Sequence, residues 1–477
     1  MTLKIAIIGA GPGGYVAAIR AAQLGAEVTL IEYDSVGGTC LNWGCVPSKV
    51  MRRSAEILEK FHRAQEFGIN VTETIYPDMQ RIMARKEKVI RDHIKGIMKL
   101  LSYHKVTYLK GYASIEGASS ITVKLPDNTN HEVSWDRLIL AMGSQPLHIS
   151  SFSFDGKKII SSNEALCLTE IPESLMIVGG GVIGCEFATI YAALGSHVIL
   201  VEALSRLLPL SSVDENCSKV LQREMKKRKI RFMVNQTVER VEKKAGKCHV
   251  TIGPSPFDRM RNERDLNTQK MEVEKVLVCI GRKPHTANMG LEKLGVKTDE
   301  NGWIIANERM QTSTPEVYAI GDVLGPEKIM LAHVASKEGL IAAENAMGKS
   351  QTMNYNFVPS TIFTMPEVAN VGLTEAQAKK QGHTVGAHTV LFRNVAKAQV
   401  IGEIAGEVKI VSDTETGKIL GVHMIGPHAT DLIGEGTLAI QMGCTVKELA
   451  EIIHAHPTLA EILMEASYKA LGRAIHG

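Results

Sequence analysis

The sequence lacks several features, and each absence narrows the function. No run of about 18 apolar residues occurs in the chain, so we expect no membrane span. Only 8 cysteines are scattered over 477 residues, which excludes the dense disulfide framework of a small secreted domain and fits a reducing compartment. The 54 basic and 51 acidic residues leave a net charge of +3, so bulk electrostatics give no case for nucleic-acid binding.

The composition is otherwise that of an ordinary globular protein. Hydrophobic residues make up 44% of the chain and charged residues 22%, which is enough to bury several cores, and the length predicts about three domains. The apolar N-terminus, "MTLKIAIIGAGPGGYVAA", is interpreted as a glycine-rich strand, turn and helix rather than a signal peptide. No transit segment is recognised, so we expect a cytoplasmic protein.

Two stretches of the chain, 4–32 and 175–202, nearly repeat each other. Each contains an apolar strand, the pattern G-x-G-x-x-G, a helix rich in small residues and a second apolar strand that ends in glutamate. The glycines are Gly9, Gly11 and Gly14 in the first copy and Gly179, Gly181 and Gly184 in the second, and the closing acids are Glu32 and Glu202. Because both copies have this strand–turn–helix context, they predict two nucleotide-binding sites.

Each residue type in the pattern has a physical role. The first glycine makes a tight turn, the second lets the backbone approach a pyrophosphate, and the third lets the helix pack on the strand. The helix N-terminus offers free N–H groups to phosphate, and the carboxylate accepts hydrogen bonds from ribose hydroxyls. Because Glu202 repels a 2′-phosphate, the second site is predicted to favour NAD over NADP, although Arg206 lies four residues further on.

The segment "GGTCLNWGCVPSK" (37–49) places two cysteines five positions apart. On a regular helix such positions are about 7.5 Å apart along the axis, whereas the Cα atoms of a disulfide usually lie about 4.4–6.8 Å apart. A bond between Cys40 and Cys45 therefore requires a distorted backbone, which Asn42 and Gly44 tolerate. The pattern favours a redox-active pair. A structural staple, free thiols or half of a metal site remain alternatives, but no further ligands lie at compact spacing and no metal site is predicted.

Four features together resemble the flavin-dependent pyridine nucleotide–disulfide oxidoreductases. They are the cysteine segment, the doubled glycine pattern, "TSTPEVYAIGD" (312–322) and "HAHPTLAE" (454–461). They occur in the family's order over nearly the whole chain. "PSK" after Cys45, the acid Glu202 and "HPTLAE" resemble the NAD-using branch of the family that oxidises dihydrolipoamide.

The resemblance implies an α/β fold with two Rossmann-like nucleotide-binding domains, one for FAD and one for NAD, and a C-terminal α+β dimerisation domain. We expect the first part of the FAD-binding domain at 1–148 and the NAD-binding domain at 149–276. A return segment of the FAD-binding domain is expected at 277–348 and the dimerisation domain at 349–477.

The resemblance also implies cofactor ligands. The expected FAD ligands are Gly9, Gly11, Gly14, Glu32, Thr39, Lys49, Ala113, Asp322 and Ala332. The expected NAD ligands are Gly179, Gly181, Ile183, Gly184, Glu202, Val238 and Gly281. Without the resemblance, Asp322 would be interpreted as a turn acid or a helix cap.

The implied catalytic residues are Cys40, Cys45, His456, Glu461, Lys49 and Glu186. Cys40 is expected to exchange with substrate and Cys45 to face the flavin, beside which Lys49 pairs with Glu186. His456 is expected to be the base and to act on the cysteines of the other subunit, which implies a homodimer.

Two neighbours of the expected base have other interpretations. Glu461 is expected to orient His456, but Thr458 and Glu461 also fit a capping box at the start of the last helix. His454 is interpreted as structural.

The implied activity is oxidation of protein-bound dihydrolipoamide by NAD⁺, with lipoyl-bearing proteins of 2-oxo acid dehydrogenase or glycine cleavage complexes as partners. The alternatives are an NAD(P)H-dependent reductase of another small disulfide and a complex subunit with a mainly structural role. The chain departs from the family pattern at Trp43, Met142 and Cys279, where a small β-branched residue, threonine and alanine are usual. Trp43 lies between the two cysteines and therefore bears on the identity of the disulfide substrate.

Overall fold

The computed structural model describes residues 2–149, 151–257 and 268–477. Within these ranges no helix has both the length and the apolar character needed to cross a membrane.

The β-strands, in chain order, are β1 Lys4–Ile8, β2 Glu27–Glu32, β3 Thr107–Lys110, β4 Tyr112–Gly117, β5 Ser120–Lys124, β6 Asn130–Ser134, β7 Arg137–Leu140, β8 Ser144–Pro146, β9 Ile159–Ile160, β10 Ser174–Val178, β11 His197–Val201, β12 Arg231–Met233, β13 Gln236–Lys244, β14 Lys247–Pro254, β15 Gln269–Val273, β16 Lys275–Val278, β17 Arg282–Pro284, β18 Val317–Ala319, β19 Ser360–Ile362, β20 Glu367–Gly372, β21 Val385–Leu391, β22 Glu407–Asp413 and β23 Ile419–Gly426.

The α-helices are α1 Pro12–Gln23, α2 Gly38–Asn42, α3 Cys45–His62, α4 Met79–Tyr103, α5 Ser162–Ala165, α6 Val182–Leu194, α7 Glu215–Lys227, α8 Leu291–Leu294, α9 Ala332–Ala346, α10 Glu375–Lys380, α11 Ala396–Val400, α12 Ala429–Met442, α13 Val446–Glu451 and α14 Glu461–Ala470. Short 3₁₀ helices cover Ala64–Phe67, Gly321–Leu324 and Phe392–Asn394.

The described residues form two compact units. Unit 1 comprises the described residues within Met1–Met51, Asp78–His148 and Gly281–Tyr355. Unit 2 comprises the described residues within Arg52–Pro77, Ile149–Ile280 and Asn356–Gly477.

Unit 1 is built on a parallel sheet with the strand order β18-β7-β1-β2-β3. In the strand sequences KIAII and EVTLIE most residues after the first are buried, as expected for a parallel sheet covered on both faces. Helices α1 and α9 pack closely together, since a Cβ added at Gly339 would lie 2.4 Å from the Gly13 carbonyl oxygen. Smaller antiparallel sheets, β4-β5-β6 and β17-β8, complete this unit.

Unit 2 contains a second parallel sheet, of order β12-β11-β10-β16-β9, with an antiparallel sheet of order β13-β14-β15. The strand β10 of this sheet leads through the second glycine pattern into α6, as β1 leads through the first into α1. Each copy of the repeat therefore folds as a strand, turn and helix at the centre of its own parallel sheet.

Unit 2 also contains an antiparallel sheet of order β19-β20-β23-β22-β21. Its core includes Val371, Val408 and Val422 from the strands and Ile462 and Leu463 from α14. Two parallel nucleotide-binding sheets and a C-terminal sheet with helices confirm the predicted fold class.

Candidate active site

The first glycine pattern forms a tight turn between β1 and α1. Gly9 has a left-handed φ of 101°, and a Cβ there would lie 2.2 Å from the carbonyl oxygen of Ala141. A Cβ at Gly14 would lie 1.8 Å from the Gly9 oxygen, so helix and turn need both glycines. At Gly11 the nearest atom to such a Cβ is 4.0 Å away, so this side of the turn is open to a pyrophosphate.

Glu32 ends β2 beside this turn. Its carboxylate accepts the backbone N–H of Ala10 at 2.7 Å and that of Asp34 at 2.8 Å. Burial raises the pKa of Glu32, and these two N–H groups act in the opposite direction. A buried carboxylate with spare lone pairs on both oxygens matches the hydroxyl pair of a ribose.

A cavity of about 450 Å³ opens beside the turn in unit 1. Seven of the nine residues expected to bind FAD line it: Gly9, Gly11, Glu32, Thr39, Ala113, Asp322 and Ala332. The remaining two, Gly14 and Lys49, lie in α1 and α3 of the same unit without lining the cavity. The glycine turn, the fixed carboxylate and the cavity therefore fit the adenosine, pyrophosphate and flavin portions of FAD.

Asp322 lies in the 3₁₀ helix that follows β18, at the wall of the cavity. Its carboxylate accepts a hydrogen bond of 2.7 Å from the Ser144 hydroxyl, which in turn accepts one of 2.6 Å from Nε of Arg282. Arg282 Nη2 also donates to the Ser144 carbonyl oxygen at 2.6 Å. This network holds the Asp322 side chain in place, and sequence reasoning did not include Ser144 or Arg282.

Arg282 is a buried cation near the cysteine pair. Burial lowers the pKa of its guanidinium, and the negative charges of Asp322 and Cys45 act in the opposite direction. The guanidinium lies 3.8 Å from the carboxylate of Asp322, an expected cofactor ligand, and interacts electrostatically with the expected redox sulfur of Cys45. The signal in the sequence was the segment "GRKP", which follows the strand β16.

The two cysteines lie on either side of a helix break. Cys40 lies in α2, Cys45 is the first residue of α3, and Trp43 and Gly44 separate the helices. Asn42 stabilises the break because its side-chain amide donates to the carbonyl oxygens of Gly38 at 2.9 Å and Val36 at 3.2 Å.

Both cysteines are thiols that line the cavity. The hydrogen bond with Cys45 and then burial raise the pKa of the Cys40 thiol above its usual value, and the positive charge of Lys49 acts in the opposite direction. The two sulfurs and the Lys49 ammonium are therefore close neighbours. This arrangement provides a vicinal dithiol at the wall of a nucleotide-sized cavity.

Trp43 connects the helix break to the end of β2. Its indole Nε1 donates a 2.7 Å hydrogen bond to the Asp34 carboxylate, and both residues line the cavity. The backbone N–H of Asp34 is bonded to Glu32, as described above. A single chain of hydrogen bonds thus joins the expected ribose ligand to the residue between the two cysteines, and no sequence motif predicts it.

Unit 2 repeats the glycine turn. Gly179 has a left-handed φ of 106°, and a Cβ there would lie 2.4 Å from the Cys279 oxygen. A Cβ at Gly184 would lie 1.9 Å from the Gly179 oxygen, whereas at Gly181 no atom lies within 4 Å. Glu202 accepts the N–H of Gly180 at 2.5 Å and that of Leu204 at 2.7 Å.

This second turn fits a second nucleotide, since it has the same open glycine and the same fixed carboxylate. Ile183 lies in the first turn of α6, next to Gly184. Val238 is 5% exposed and packs in a hydrophobic cluster of the unit, so its side chain faces the core. Gly281 belongs to unit 1.

Arg206 is anchored within the loop that follows Glu202. Its guanidinium donates to the Ser218 hydroxyl at 2.5 Å and to the carbonyl oxygens of Leu210 at 2.8 Å and Val213 at 3.0 Å. Because these acceptors use its donors, Arg206 stabilises the loop after Glu202.

Glu186, on α6 of unit 2, is 8% exposed, and its carboxylate accepts the backbone N–H of Phe363 at 2.9 Å. Lys49, its expected partner, belongs to unit 1.

His456 and Glu461 lie together in unit 2, as a base and its orienting acid require. Nδ1 of His456 lies 2.8 Å from the Glu461 carboxylate, and the imidazole is 70% exposed. Partial burial acts to raise the pKa of Glu461, but the hydrogen bonds from His456 and from the Thr458 N–H outweigh it and lower that pKa. The carboxylate is therefore ionised at neutral pH.

The capping box expected at Thr458 is half formed, because Glu461 accepts the Thr458 N–H but the Thr458 hydroxyl does not cap the helix. Helix α14 begins at Glu461 with Ala460 as the N-cap residue, and no side chain caps it. Thr458 donates its N–H to Glu461 at 2.8 Å, and its hydroxyl donates to the Ala455 oxygen at 2.8 Å. These bonds shape the loop that carries His456.

Comparisons with known proteins agree with this geometry. Residues 3–339 match the family described as pyridine nucleotide-disulphide oxidoreductase, and residues 358–467 match the dimerisation domain of that family, which supports a homodimer. A dihydrolipoyl dehydrogenase of Chlamydia muridarum is 42% identical over 98% of this chain and 97% of its own. One from Thermus scotoductus is 40% identical over 100% and 99% of the two chains.

A relative also occurs in a plant, and related structures have been solved. The protein called dihydrolipoyl dehydrogenase 1, mitochondrial, of Arabidopsis thaliana is 39% identical over 99% of this chain and 91% of its own. The crystal structure of LpdA from Mycobacterium tuberculosis aligns with a TM-score of 0.89 and 28% identity, covering 98% of this chain and 99% of the other. The chain therefore belongs to the pyridine nucleotide-disulphide oxidoreductase family and is an oxidoreductase that uses FAD and NAD(H).

Proposed function

We propose that the protein oxidises dihydrolipoamide, carried on a partner protein, and delivers the electrons to NAD⁺. The observation that carries this proposal is the vicinal pair of Cys40 and Cys45, set across a helix break at the wall of the cavity that fits FAD. The relatives of this chain that are named dihydrolipoyl dehydrogenase support the choice of substrate.

The reaction begins with removal of a proton from a substrate thiol, because the thiolate is the nucleophile in disulfide exchange. We assign this step to His456. Its Nδ1 is held by Glu461, so Nε2 is the atom that accepts the proton. The ionised carboxylate stabilises the resulting imidazolium. An imidazole that is 70% exposed is accessible to a substrate on another protein.

The substrate thiolate then attacks Cys40 in the oxidised form of the pair. The Cys40–Cys45 bond breaks, a mixed disulfide forms with Cys40, and Cys45 leaves as a thiolate. The N-terminus of α3, at which Cys45 lies, stabilises that negative charge. The second substrate thiol loses its proton and attacks its own mixed-disulfide sulfur, which releases lipoamide and leaves both cysteines reduced.

The chemistry that FAD supplies when bound is two-electron transfer between the reduced cysteines and NAD⁺. On this assignment Gly9, Gly11, Glu32 and Asp322 bind FAD, with Thr39, Ala113, Ala332, Gly14 and Lys49 as further ligands. Lys49 and Glu186 are assigned to the flavin side of the cysteine pair.

NAD⁺ is assigned to the second glycine turn. Gly179, Gly181, Gly184 and Ile183 would hold the pyrophosphate and Glu202 the adenosine ribose. Val238 and Gly281 stay predictions as NAD ligands, and so do the domain boundaries at 148, 276 and 348.

We further propose that each cysteine pair in the homodimer is served by the partner subunit's His456. The base and the cysteines lie in different compact units of the chain, and the base lies in the segment that matches the dimerisation domain. Lipoyl-bearing proteins of 2-oxo acid dehydrogenase or glycine cleavage complexes remain the predicted partners, and the cytoplasm remains the predicted location.

Substitution of one sulfur tests the proposal. Cys45→Ser is expected to abolish NAD⁺-dependent oxidation of dihydrolipoamide while FAD stays bound, because the cavity keeps its other walls. Cys217→Ser is the matched control, since Cys217 is 2% exposed within α7 of unit 2 and outside the site. Unchanged turnover in Cys45→Ser contradicts the proposal.

A substrate comparison separates the proposal from its main alternative. We expect NADH-driven reduction of lipoamide to exceed that of glutathione disulfide by orders of magnitude. The reverse order would favour a reductase of another small disulfide.

A further inference from the structure

His454 is a buried imidazole two residues before the assigned base. Its side chain is 5% exposed, whereas that of His456 is 70% exposed. Both lie in the loop between α13 and α14. The catalytic assignment uses only His456, so the burial of His454 needs a separate explanation.

Both ring nitrogens of His454 lie against acceptors. Nδ1 is 3.0 Å from the Ile452 carbonyl oxygen, and Nε2 is 2.8 Å from the Glu435 carboxylate. A carbonyl oxygen only accepts hydrogen bonds, so Nδ1 must carry a hydrogen. An ionised carboxylate also only accepts, so Nε2 must carry one too. With both nitrogens protonated, the ring is an imidazolium paired with Glu435.

This pair fixes the loop at a point close to the base. Glu435 lies on α12, and Ile452 is the C-cap residue that follows α13. The loop is thus attached to α12 through His454 and to the start of α14 through His456 and Glu461. Two histidine–glutamate pairs therefore hold His454 and His456, the residues on either side of Ala455.

The charge of His454 also acts on the second pair. It is among the positive charges that lower the pKa of Glu461, after the hydrogen bonds and the charge of His456 itself. Among the titratable groups nearby, Glu435 from α12 pairs with His454, and Glu461 from α14 is affected by the charges of both His454 and His456. Like charges repel, so a fixed cation at His454 disfavours a proton on His456.

We propose that His454, as an imidazolium paired with Glu435, is a positioning residue that holds the loop of the base and keeps His456 neutral and ready to accept a proton. This inference rests on the proposed function, since it concerns the same base.

The first test is the pH profile of kcat/KM for dihydrolipoamide oxidation. His454→Gln removes the cation and leaves the Glu435 carboxylate. The loss of this positive charge beside the remaining carboxylate favours a proton on His456, so the acid limb of the profile is expected to move to higher pH by about one unit. His476→Gln is the matched control, because His476 also lies 2.8 Å from a glutamate, Glu465, in unit 2 but outside the site. It is expected to leave the limb unchanged.

If kcat falls in His454→Gln while the acid limb of the kcat/KM profile stays at the same pH, the positioning role is overturned. Partial unfolding of the variant would also lower activity, but it would not shift the pH at which the limb lies. If that variant does not fold, the second measurement decides.

The second measurement is nitrogen NMR of the wild-type protein labelled at histidine. At neutral pH we expect a buried histidine with hydrogens on both ring nitrogens, whose signal changes in Glu435→Gln. A neutral, single-tautomer ring at that position overturns the proposal. This measurement does not depend on turnover, so a protein inactive with dihydrolipoamide would contradict the proposed function while the NMR result still decides the charge of His454.

Discussion

The coenzyme preference can be predicted from the fixed carboxylate at the second glycine turn. Glu202 is 6% exposed, and two backbone N–H groups hold it, at 2.5 Å from Gly180 and 2.7 Å from Leu204. Such a carboxylate cannot rotate away from a 2′-phosphate. Arg206, four residues further on, is anchored by bonds to Ser218 and to two loop carbonyls.

The size of the effect follows from electrostatics. Two like unit charges about 4 Å apart repel by about 4 kcal/mol at an effective dielectric constant of about 20. Since about 1.4 kcal/mol corresponds to a tenfold change, the carboxylate should disfavour NADP⁺ by about 10³-fold. Glu202→Gln removes the charge, but its amide nitrogen then faces a backbone N–H, so NAD⁺ should also bind about tenfold more weakly.

The assay compares kcat/KM for NAD⁺ and NADP⁺ with dihydrolipoamide as donor, together with calorimetric binding of each coenzyme. We expect Glu202→Gln to shift the ratio toward NADP⁺ by about 10²–10³-fold. Glu242→Gln, which removes one exposed negative charge from β13 of the same unit, should leave the ratio unchanged. An unaltered ratio in Glu202→Gln would refute the electrostatic reasoning.

Three further substitutions test other parts of the structure. Trp43→Phe removes the hydrogen bond to the Asp34 carboxylate. Because Trp43 is 36% exposed, we expect the free energy of unfolding, measured by denaturant titration, to fall by only about 1 kcal/mol. An unchanged free energy of unfolding would contradict a stabilising role for this bond. Glu461→Gln should lower kcat/KM for dihydrolipoamide by about 10²-fold at neutral pH, and wild-type activity in this variant would refute its orienting role. Lys409→Met should cost about 3 kcal/mol of unfolding free energy near pH 7, because it leaves Asp214 buried and unpaired. Burial acts to raise the pKa of Asp214, but the hydrogen bonds from Lys409 and the Asn216 N–H, with the positive charge of Lys409, together lower it. The stabilisation is therefore present above about pH 4 and is lost as the pH falls further. Chemical denaturation of both proteins across that range measures it, and a cost that does not shrink in acid would contradict the ion pair.

Local features of this protein could be predicted because neighbouring residues determine them. Gly9 and Gly14 are required by contacts within one turn, and the acid Glu32 follows at the end of the next strand. The helix break between Cys40 and Cys45 was likewise expected, because a regular helix holds such positions too far apart.

Contacts between distant residues could not be predicted. The network of Arg282, Ser144 and Asp322 joins three segments far apart in the chain, and only folding brings them together. His454 and Glu435 are 19 residues apart on different elements, and no local pattern relates them. The local capping-box pattern at Thr458 was only half fulfilled, since Glu461 accepts the Thr458 N–H but the Thr458 hydroxyl bonds the Ala455 oxygen.

The most direct test of the account is NADH formation by the purified protein supplied with dihydrolipoamide and NAD⁺, with NADP⁺ in a parallel reaction. We predict rapid NADH formation, little NADPH and a protein that is yellow with bound FAD. A yellow protein with no turnover of dihydrolipoamide would contradict the proposed substrate.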